Sequence, residues 1–445
     1  MAGQDACVTI VGAGVAGCAT ALALHQLGVG PLAVLHRPEA HELKAGETLH
    51  PQSRELLYAL GLLQAVEEGP HLGAFGIASA WGHTELLHQD HIFSPYGKGW
   101  LLDRVAFDTM LREQVVARGI ELIEQPQFEA AQRTAEGWQW TLEDGRRLTS
   151  RFAVDATGRR GALLRPAGGE QVVFDDLHAV YSFWEGTPKG LGQFSMIESM
   201  ETGWGYAVTL PEDKFALALM LDKDTLKAEG LKDLEDFRRA LSGTKHLSAL
   251  LQPEHCLLEH RVVVAQSMLF ERGTDDLAWL PVGDAASAYD PMAGIGIAKA
   301  LDNGLRAAEA IQRWLAGDTQ AITHYDAAIT KAFYAFLNKR HHYYTQEPRW
   351  PQAAFWQRRQ QWLNLHPEVV LVANPKQAVR VGQGLPKASL TTLQDLCRES
   401  RMAHEVIREF QQMSPGRYPD WRVVQALGYL LREGFVLAAE ELVDR

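Results

Sequence analysis

The 445-residue sequence has few cysteines and no excess of basic residues. Its four cysteines form no CxxC pair, so we expect neither a disulfide framework nor a metal site, and we expect a reducing compartment. The formal net charge of −12 argues against nucleic acid as a partner, because phosphate backbones require a basic protein face.

Long apolar runs are also missing. No stretch approaches the roughly 20 apolar residues that a membrane-spanning helix needs. The first residues show no basic segment followed by an apolar one, as a secretory signal would. We therefore predict a cytoplasmic protein that does not insert into a membrane. The length allows two or three globular domains.

A glycine-rich motif follows the first apolar segment. Residues 7–11 (CVTIV) are typical of a buried parallel strand, and residues 18–27 follow a helical pattern. Gly12 permits a tight turn, Gly14 lets a pyrophosphate approach the backbone, and Gly17 allows close packing of helix on strand. This context predicts a dinucleotide site at the start of the helix. The predicted contacts from this motif are Gly12, Gly14, Ala16 and Gly17.

The second strand does not identify the dinucleotide. A carboxylate usually ends this strand and binds the ribose hydroxyls, but here residues 31–35 are followed by His36 and Arg37. Arg37 could instead bind the 2′-phosphate of NADP. The first motif therefore leaves both FAD and NADP open.

Two later motifs favour FAD. The sequence DATG at residues 155–158 and the sequence GDAA at residues 283–286 each follow an apolar strand pattern. A carboxylate at Asp284 can accept a hydrogen bond from a ribityl hydroxyl. The glycines near residue 295 allow a helix to begin against a flavin ring, where its dipole stabilises negative charge. An NADP enzyme needs no such third segment. The predicted contacts from these motifs are Asp155, Gly158, Gly283, Asp284, Gly294, Ile295 and Gly296.

The three motifs together resemble those of flavoprotein monooxygenases of the p-hydroxybenzoate hydroxylase type, over about residues 5–360. The segments GETLHP (46–51), WLLDRVAFD (100–108) and GWGY (203–206) narrow the resemblance to the tryptophan-halogenase-like branch. The resemblance implies an α/β fold with a Rossmann-like FAD-binding domain. It adds Gly46, Glu47 and Arg104 as FAD contacts, although Arg104 could instead form a salt bridge at a helix start.

Features that halogenases of this branch carry are absent. No lysine stands in residues 76–81 (GIASAW), no glutamate follows Asp290-Pro291, and residues 203–211 depart from the WxWxIP signature. Halogenation is therefore disfavoured. The resemblance implies instead hydroxylation of an electron-rich aromatic ring through a flavin C4a-hydroperoxide, with O2 as co-substrate. NAD(P)H or a separate reductase would supply electrons. A non-oxygenating flavoprotein would share the same flavin motifs.

Strand-like alternation in residues 76–99 and 165–260 predicts a β-sheet substrate domain. The FAD-binding domain is then discontinuous, comprising residues 1–75, 100–164 and 261–335. Candidates for the substrate pocket are Trp81, Trp204 and Tyr206, with ordinary sheet core as the alternative. His50 and Asp290 are the candidate catalytic residues, with a supporting or helix-capping role as the alternative.

Residues 336–445 are predicted to form an α-helical C-terminal region. Its segments RWP (349–351) and FW (355–356) are rich in aromatic residues and arginine, which suit protein interfaces. Together with the lysine-free body, they resemble flavoproteins that mature tryptophan-derived quinone cofactors in lysine ε-oxidase, glycine oxidase or quinohemoprotein amine dehydrogenase. The resemblance implies a tryptophan-bearing polypeptide as substrate. A free phenol or indole remains the alternative, and the tail could instead be a helical cap.

Overall fold

The computed structural model describes residues 4–38, 43–44, 48–124, 128–164, 166–273, 276–360, 365 and 367–438. The chain divides into two compact units. The first unit comprises Met1–Gly169 and Asp176–Arg358, and the second comprises Glu170–Asp175 and Arg359–Arg445. Two of the three divisions fall within elements, namely the strand Gly169–Val173 and the helix Ala354–Gln360.

A seven-stranded sheet, here called the first sheet, forms one layer of the first unit. Five strands run parallel, and the two that form its outer hairpin, Phe128–Arg133 and Trp138–Leu142, are antiparallel. The central strands are apolar and buried, as a parallel sheet covered on both faces requires. The parallel strands, in spatial order, are Glu121–Glu124, Leu32–His36, Gln4–Val11, Arg147–Asp155 and Trp279–Pro281.

Two helices of the first unit pack together closely. The helix Val15–Gln26 is buried on nearly all sides, and its alanines meet the helix Gly296–Leu315. A Cβ atom on Gly304 would lie 2.6 Å from Ala19 Cβ, so glycine is required at this crossing. Besides Val15–Gln26 and Gly296–Leu315, this unit contains the helices Ser53–Ala59, Leu63–Glu67, Arg104–Ala117 and Ala321–Thr345.

A second seven-stranded sheet is covered on both faces. Alternate residues of its strands point to opposite faces. One face, here called the aromatic face, carries Tyr181, Trp204 and Tyr206, and the other packs against short helices that include Phe237 and Leu247. Its strands are Gly76–Ala80, Leu87–Asp90, Leu177–Glu185, Phe194–Met200, Gly203–Leu210, Lys214–Asp222 and Cys256–Val264, and the covering helices are Lys223–Ala228, Leu234–Leu241 and Leu247–Leu250.

Two small sheets complete the first unit. Thr48–Leu49, Leu72–Ala74 and Gly99–Leu101 form one, and Met268–Arg272 pairs with Ser287–Ala288 in the other. The predicted α/β fold, with a Rossmann-like layer and a sheet domain, is confirmed.

The second unit has a core of its own, which includes Leu390, Val406, Phe410 and Leu427. Its helices are Lys387–Leu396, Ala403–Met413 and Asp420–Arg432, and its small sheet comprises Val370–Ala373, Arg401–Met402 and Val436–Ala438.

The compact division lies at residues 358 and 359, whereas we expected a boundary at residues 335 and 336. The helix Ala321–Thr345 runs through the expected position, because its apolar residues continue to Tyr344. The division into flavin and substrate domains within the first unit stays a prediction. Among the described residues, none of the helices combines the length and apolar character needed to cross a membrane.

Candidate flavin site

The three sequence motifs lie side by side at one edge of the first sheet. Val11 pairs with Asp155, and Asp155 pairs with Pro281, in parallel register. The residues that follow these strands therefore meet at the carboxyl ends of three neighbouring strands. This is where open parallel sheets bind their ligands.

The glycines of the first motif have different roles. Gly12 has a φ of +109°, and a Cβ atom there would lie 2.4 Å from the Ala156 carbonyl oxygen. A Cβ atom on Gly17 would lie 1.9 Å from the Gly12 oxygen. At Gly14 a Cβ atom would meet nothing within 4 Å, and the helix beginning there has no side-chain cap. Gly12 and Gly17 thus serve packing, while Gly14 leaves open space before uncapped N–H groups.

Asp284 belongs to a cluster of charges. Lys299 Nζ lies 2.9 Å from Asp284 Oδ1, and Arg159 Nε lies 3.4 Å from Asp284 Oδ2. Burial raises the pKa of Asp284, but the charges of Lys299 and Arg159 outweigh burial, so its pKa lies below the ordinary value. Asp284 is thus held as a carboxylate, ready to accept hydrogen bonds. Glycine is required at position 283, because a side chain there would collide with Ala16.

The late loop begins with a capped turn and ends at an open helix start. Asp290 Oδ1 accepts a hydrogen bond from the Met292 N–H at 3.0 Å, and Gly294 has a φ of +62°. Ile295 is partly exposed, and the helix that begins at Gly296 has no side-chain cap. A Cβ atom on Gly296 would meet nothing within 4 Å. This second uncapped helix start can face a group carrying negative charge.

His50 lies beside this late loop. Its Nε2 atom is 2.9 Å from the position that a Cβ atom of Gly294 would occupy, and its ring centre is 6.0 Å from that of His91. Burial lowers the pKa of His50, and the charges of His91 and Lys339 lower it further, whereas a hydrogen bond with the Gly294 backbone opposes them. The imidazole is therefore neutral at pH 7. We use the name flavin loops for residues 43–44 and 48–50 together with residues 290–296.

The other predicted contacts have different settings. Arg104 begins the helix Arg104–Ala117 and lies 3.2 Å from Asp108, the salt bridge that we considered as its alternative role. Lys44 lies 2.7 Å from the same carboxylate. Burial raises the pKa of Asp108, but Arg104 and Lys44 together hold it below the ordinary value. Arg37 is exposed after its strand. Gly46 and Glu47 lie outside the described residues.

Asp155 is enclosed within its own turn. One carboxylate oxygen accepts hydrogen bonds from the Thr157 N–H and hydroxyl, at 2.9 and 2.6 Å, and the other accepts one from the Leu163 N–H at 2.8 Å. Burial raises its pKa, and these hydrogen bonds oppose the rise. The turn also contains Gly158, with a φ of +63° and open space where a side chain would stand. Both carboxylate oxygens of Asp155 therefore hold the shape of this turn.

The three predicted pocket residues lie on or beside the aromatic face. Trp204 is almost fully buried, while Trp81 and Tyr206 are partly buried. The Trp81 ring lies 6.3 Å from Trp204 and 5.7 Å from Tyr344. Leu43 and Met292 from the flavin loops pack against the same cluster. The structure thus brings the predicted pocket residues together next to the flavin loops.

The sequence model of the FAD binding domain family matches residues 5–329. The chain belongs to this family. LodB of Marinomonas mediterranea, which is named as an FAD-dependent oxidoreductase, is 26% identical over 357 residues, covering 79% of this chain and 95% of LodB. A pyrrole-carbonyl carrier-protein brominase of Pseudoalteromonas luteoviolacea is 24% identical, covering 70% of this chain and 78% of the brominase.

Solved structures share the fold of this flavoprotein. The peptidyl tryptophan dihydroxylase QhpG has a TM-score of 0.67 and 23% identity, covering 97% of this chain and all of QhpG. The myxobacterial chondrochloren halogenase CndH has a TM-score of 0.70 and 20% identity, covering 81% of this chain and 87% of CndH. The chain is therefore an FAD-dependent oxidoreductase whose fold occurs in both hydroxylases and halogenases.

The residues present fit FAD. Gly14 leaves room for the pyrophosphate at an uncapped helix start, Asp284 is an ionised acceptor for a ribityl hydroxyl, and the open start at Gly296 suits the flavin ring. Sequence reasoning missed two residues of this site, Lys299 and Tyr344. Lys299 gave no signal because a lysine in a helix is usually exposed, and Tyr344 lies far along the chain from the residues it contacts.

Proposed function

We propose that this flavoprotein is a monooxygenase that hydroxylates an electron-rich aromatic ring. The favoured substrate is a tryptophan side chain in a polypeptide, during quinone-cofactor biogenesis in a partner amine dehydrogenase or oxidase. The proposal rests on the residues that lie next to the flavin loops. The strand Gly76–Ala80 and the adjoining Trp81 contain no lysine, and aromatic rings pack there instead. The fold similarity to QhpG, along nearly the whole of both chains, supports the polypeptide substrate.

The chain's own residues bind the ring and exclude water. Trp81 and Tyr206 offer partly buried aromatic surface beside Met292, and such surface binds an indole or phenol ring by stacking and apolar contact. When bound and reduced, FAD supplies the chemistry that activates O2. One oxygen atom then enters the ring and the other leaves as water. The two electrons required come from NAD(P)H or from a separate reductase.

His50 is the proposed acceptor of the proton that leaves the substrate. Its lowered pKa keeps the imidazole neutral at pH 7, so it can take up a proton. Asp290 supports the late loop beside it, where its two oxygens accept hydrogen bonds from the Met292 N–H and the Tyr344 hydroxyl. We therefore assign proton transfer to His50 and loop positioning to Asp290.

The test supplies the FAD-loaded protein with NADH, a flavin reductase, O2 and bromide. One sample contains free indoles and phenols, and another contains a tryptophan-bearing polypeptide from an amine dehydrogenase or oxidase. Mass spectrometry follows both samples. Gly14→Asp places a negative charge where the pyrophosphate would bind and should abolish turnover, while Gln26→Glu is the matched control because it adds the same charge at the exposed end of the same helix.

A gain of one or two oxygen atoms on the polypeptide alone is the expected result. Oxygen on a free ring, with the polypeptide unchanged, would establish a small-molecule hydroxylase instead. Bromine on either substrate would show that a halogenase can operate without the lysine. Oxidation of NADH without any change in either substrate would contradict the proposal.

A further inference from the structure

Two tyrosine hydroxyls contact the two flavin loops. The Tyr206 hydroxyl lies 3.0 Å from Thr48 Oγ1, and Thr48 directly follows the segment to which the sequence assigns FAD contacts. The Thr48 hydroxyl also lies 2.8 Å from Ser195 Oγ. Tyr206 and Ser195 belong to neighbouring strands of the second sheet. Hydrogen bonds among these three hydroxyl groups thus connect the first flavin loop to that sheet.

The second contact is a buried chain of hydrogen bonds. Trp204 Nε1 donates to the Tyr344 hydroxyl at 3.0 Å, and this hydroxyl donates to Asp290 Oδ2 at 2.8 Å. All three residues are at most 1% exposed. The other oxygen of Asp290 holds the Met292 N–H, which sets the turn that leads to Gly294. Tyr344 therefore connects the second sheet to the second flavin loop.

Both contacts begin on one strand. Trp204 and Tyr206 are two residues apart in Gly203–Leu210, so their side chains share the aromatic face. We infer that Tyr206 and Tyr344 are positioning residues, which fix the two flavin loops relative to this strand and thereby hold the loops in the conformation that binds FAD. The inference rests on FAD binding alone and is independent of the substrate.

The hydroxyl groups of the two tyrosines, and not the volume of their rings, make the contacts with Thr48 and Asp290. Phenylalanine would fill either site as well as tyrosine, because only the hydroxyl reaches Thr48 or Asp290. A buried hydrogen bond is directional, so it fixes orientation as well as distance. Its loss removes one of the hydrogen bonds that Thr48 or Asp290 makes, which carries a cost. Removing a hydroxyl should therefore loosen the loop and leave the core volume unchanged.

The experiment compares Tyr206→Phe and Tyr344→Phe with the wild type, as full-length FAD-loaded proteins. FAD release into excess buffer is followed by the rise of free-FAD fluorescence, and the visible spectrum of bound FAD is recorded. We expect release to be about two- to tenfold faster in each variant, because one hydrogen bond to a flavin loop is lost. Tyr418→Phe is the matched control, since its hydroxyl lies 3.2 Å from Ser389 Oγ within the second unit, and its release rate should be unchanged.

Two further variants test the route of the effect. Thr48→Val removes the partner of Tyr206, so the double variant Thr48→Val/Tyr206→Phe should release FAD no faster than the faster single variant. Trp204→Phe removes the donor to Tyr344 and should accelerate release in the same direction as Tyr344→Phe. Release and spectra equal to wild type in both tyrosine variants would overturn the inference, whatever their unfolding temperatures. Additive effects of Thr48→Val and Tyr206→Phe would also overturn the role assigned to Tyr206.

Discussion

Lys299 is a buried lysine that contacts the flavin-site carboxylate Asp284. Its Nζ atom lies 2.9 Å from Asp284 Oδ1 and 4.6 Å from the centre of the Tyr289 ring, and it donates to the Ser287 carbonyl. Burial lowers the pKa of Lys299, while the Asp284 carboxylate opposes that change. Each charge therefore supports the ionised state of the other. We therefore expect the affinity for FAD to depend on Lys299, a residue outside the sequence motifs.

Lys299→Met should make FAD binding depend on pH. Without Lys299, the pKa of Asp284 rises, and the carboxylate is protonated as the pH falls through the new value. We expect the affinity of the wild type for FAD to be the same at pH 6 and pH 8. The affinity of the variant should be roughly tenfold lower at pH 6 and should recover at pH 8. Fluorescence titration of FAD at each pH measures this, with Lys214→Met as the control. A pH-independent loss would mean that Lys299 acts by packing alone.

We also expect the turnover rate to depend on pH, through the protonation of His50. Its pKa is lowered from 6.5, so the neutral base should be present at pH 7 and should be lost only as the pH falls below that ordinary value. His50→Gln should remove the acid limb of the rate profile and lower the rate by about 100-fold. His91→Gln should keep the limb but shift it to higher pH, because a neighbouring positive charge is gone. An unchanged limb in His50→Gln would assign the titration to another group.

At the scale of elements, the contact between the helices Val15–Gln26 and Gly296–Leu315 is set by small residues. Gly304→Ala should destabilise the protein by about 1–3 kcal/mol, because its methyl group would lie 2.6 Å from Ala19 Cβ and 2.9 Å from the Thr20 backbone nitrogen. Urea unfolding of the apoprotein measures the change. Gly30→Ala is the control, since a methyl group there meets nothing within 4 Å. Equal stability of both variants would show that the helices separate at no cost.

The elements differ in how far the sequence determined them. The first strand, the glycine turn and the following helix were predicted correctly, because their patterns are local and each glycine has a steric reason. The strand-like alternation in residues 165–260 likewise predicted the sheet to which Lys214–Asp222 belongs. Tyr344 and Lys299 were not predicted, since their roles depend on contacts with Asp290 and Asp284. The continuation of the helix Ala321–Thr345 beyond residue 335 was not predicted, because it depends on distant contacts such as those of Tyr344 with Trp204 and Asp290.

At the scale of the whole molecule, the second unit has its own core and its own buried charge. Arg422 is 2% exposed, donates to the Gly384 carbonyl at 2.6 Å, and lies over the rings of Tyr418 and Phe174. Phe174 comes from the short segment Glu170–Asp175, which the chain contributes to this unit long before residue 359. Arg422 thus joins two distant parts of the sequence within one unit.

Arg422→Ala should lower the stability of the second unit by about 2–4 kcal/mol, since it removes the hydrogen bond to the Gly384 carbonyl and two ring contacts. Hydrogen exchange followed by mass spectrometry should show faster exchange in residues 367–438, while the first sheet stays protected. Arg417→Ala, at an exposed position over the same Tyr418 ring, is the control. Faster exchange throughout the first sheet as well would show that the two units unfold together.

The order of strands in the first sheet governs when FAD can bind to a growing chain. Three neighbouring strands end at the candidate flavin site. The last of them in sequence, Trp279–Pro281, comes about 270 residues after the first, Gln4–Val11, and the uncapped helix start at Gly296 comes later still. A ribosome adds on the order of 5–20 residues each second. The pyrophosphate turn at Gly12 therefore leaves the ribosome many seconds before the edge beside it is complete. Once Arg147–Asp155 is made, its residues 153–155 remain an unpaired edge until Trp279–Pro281 follows, and this edge is then open to pairing with another chain.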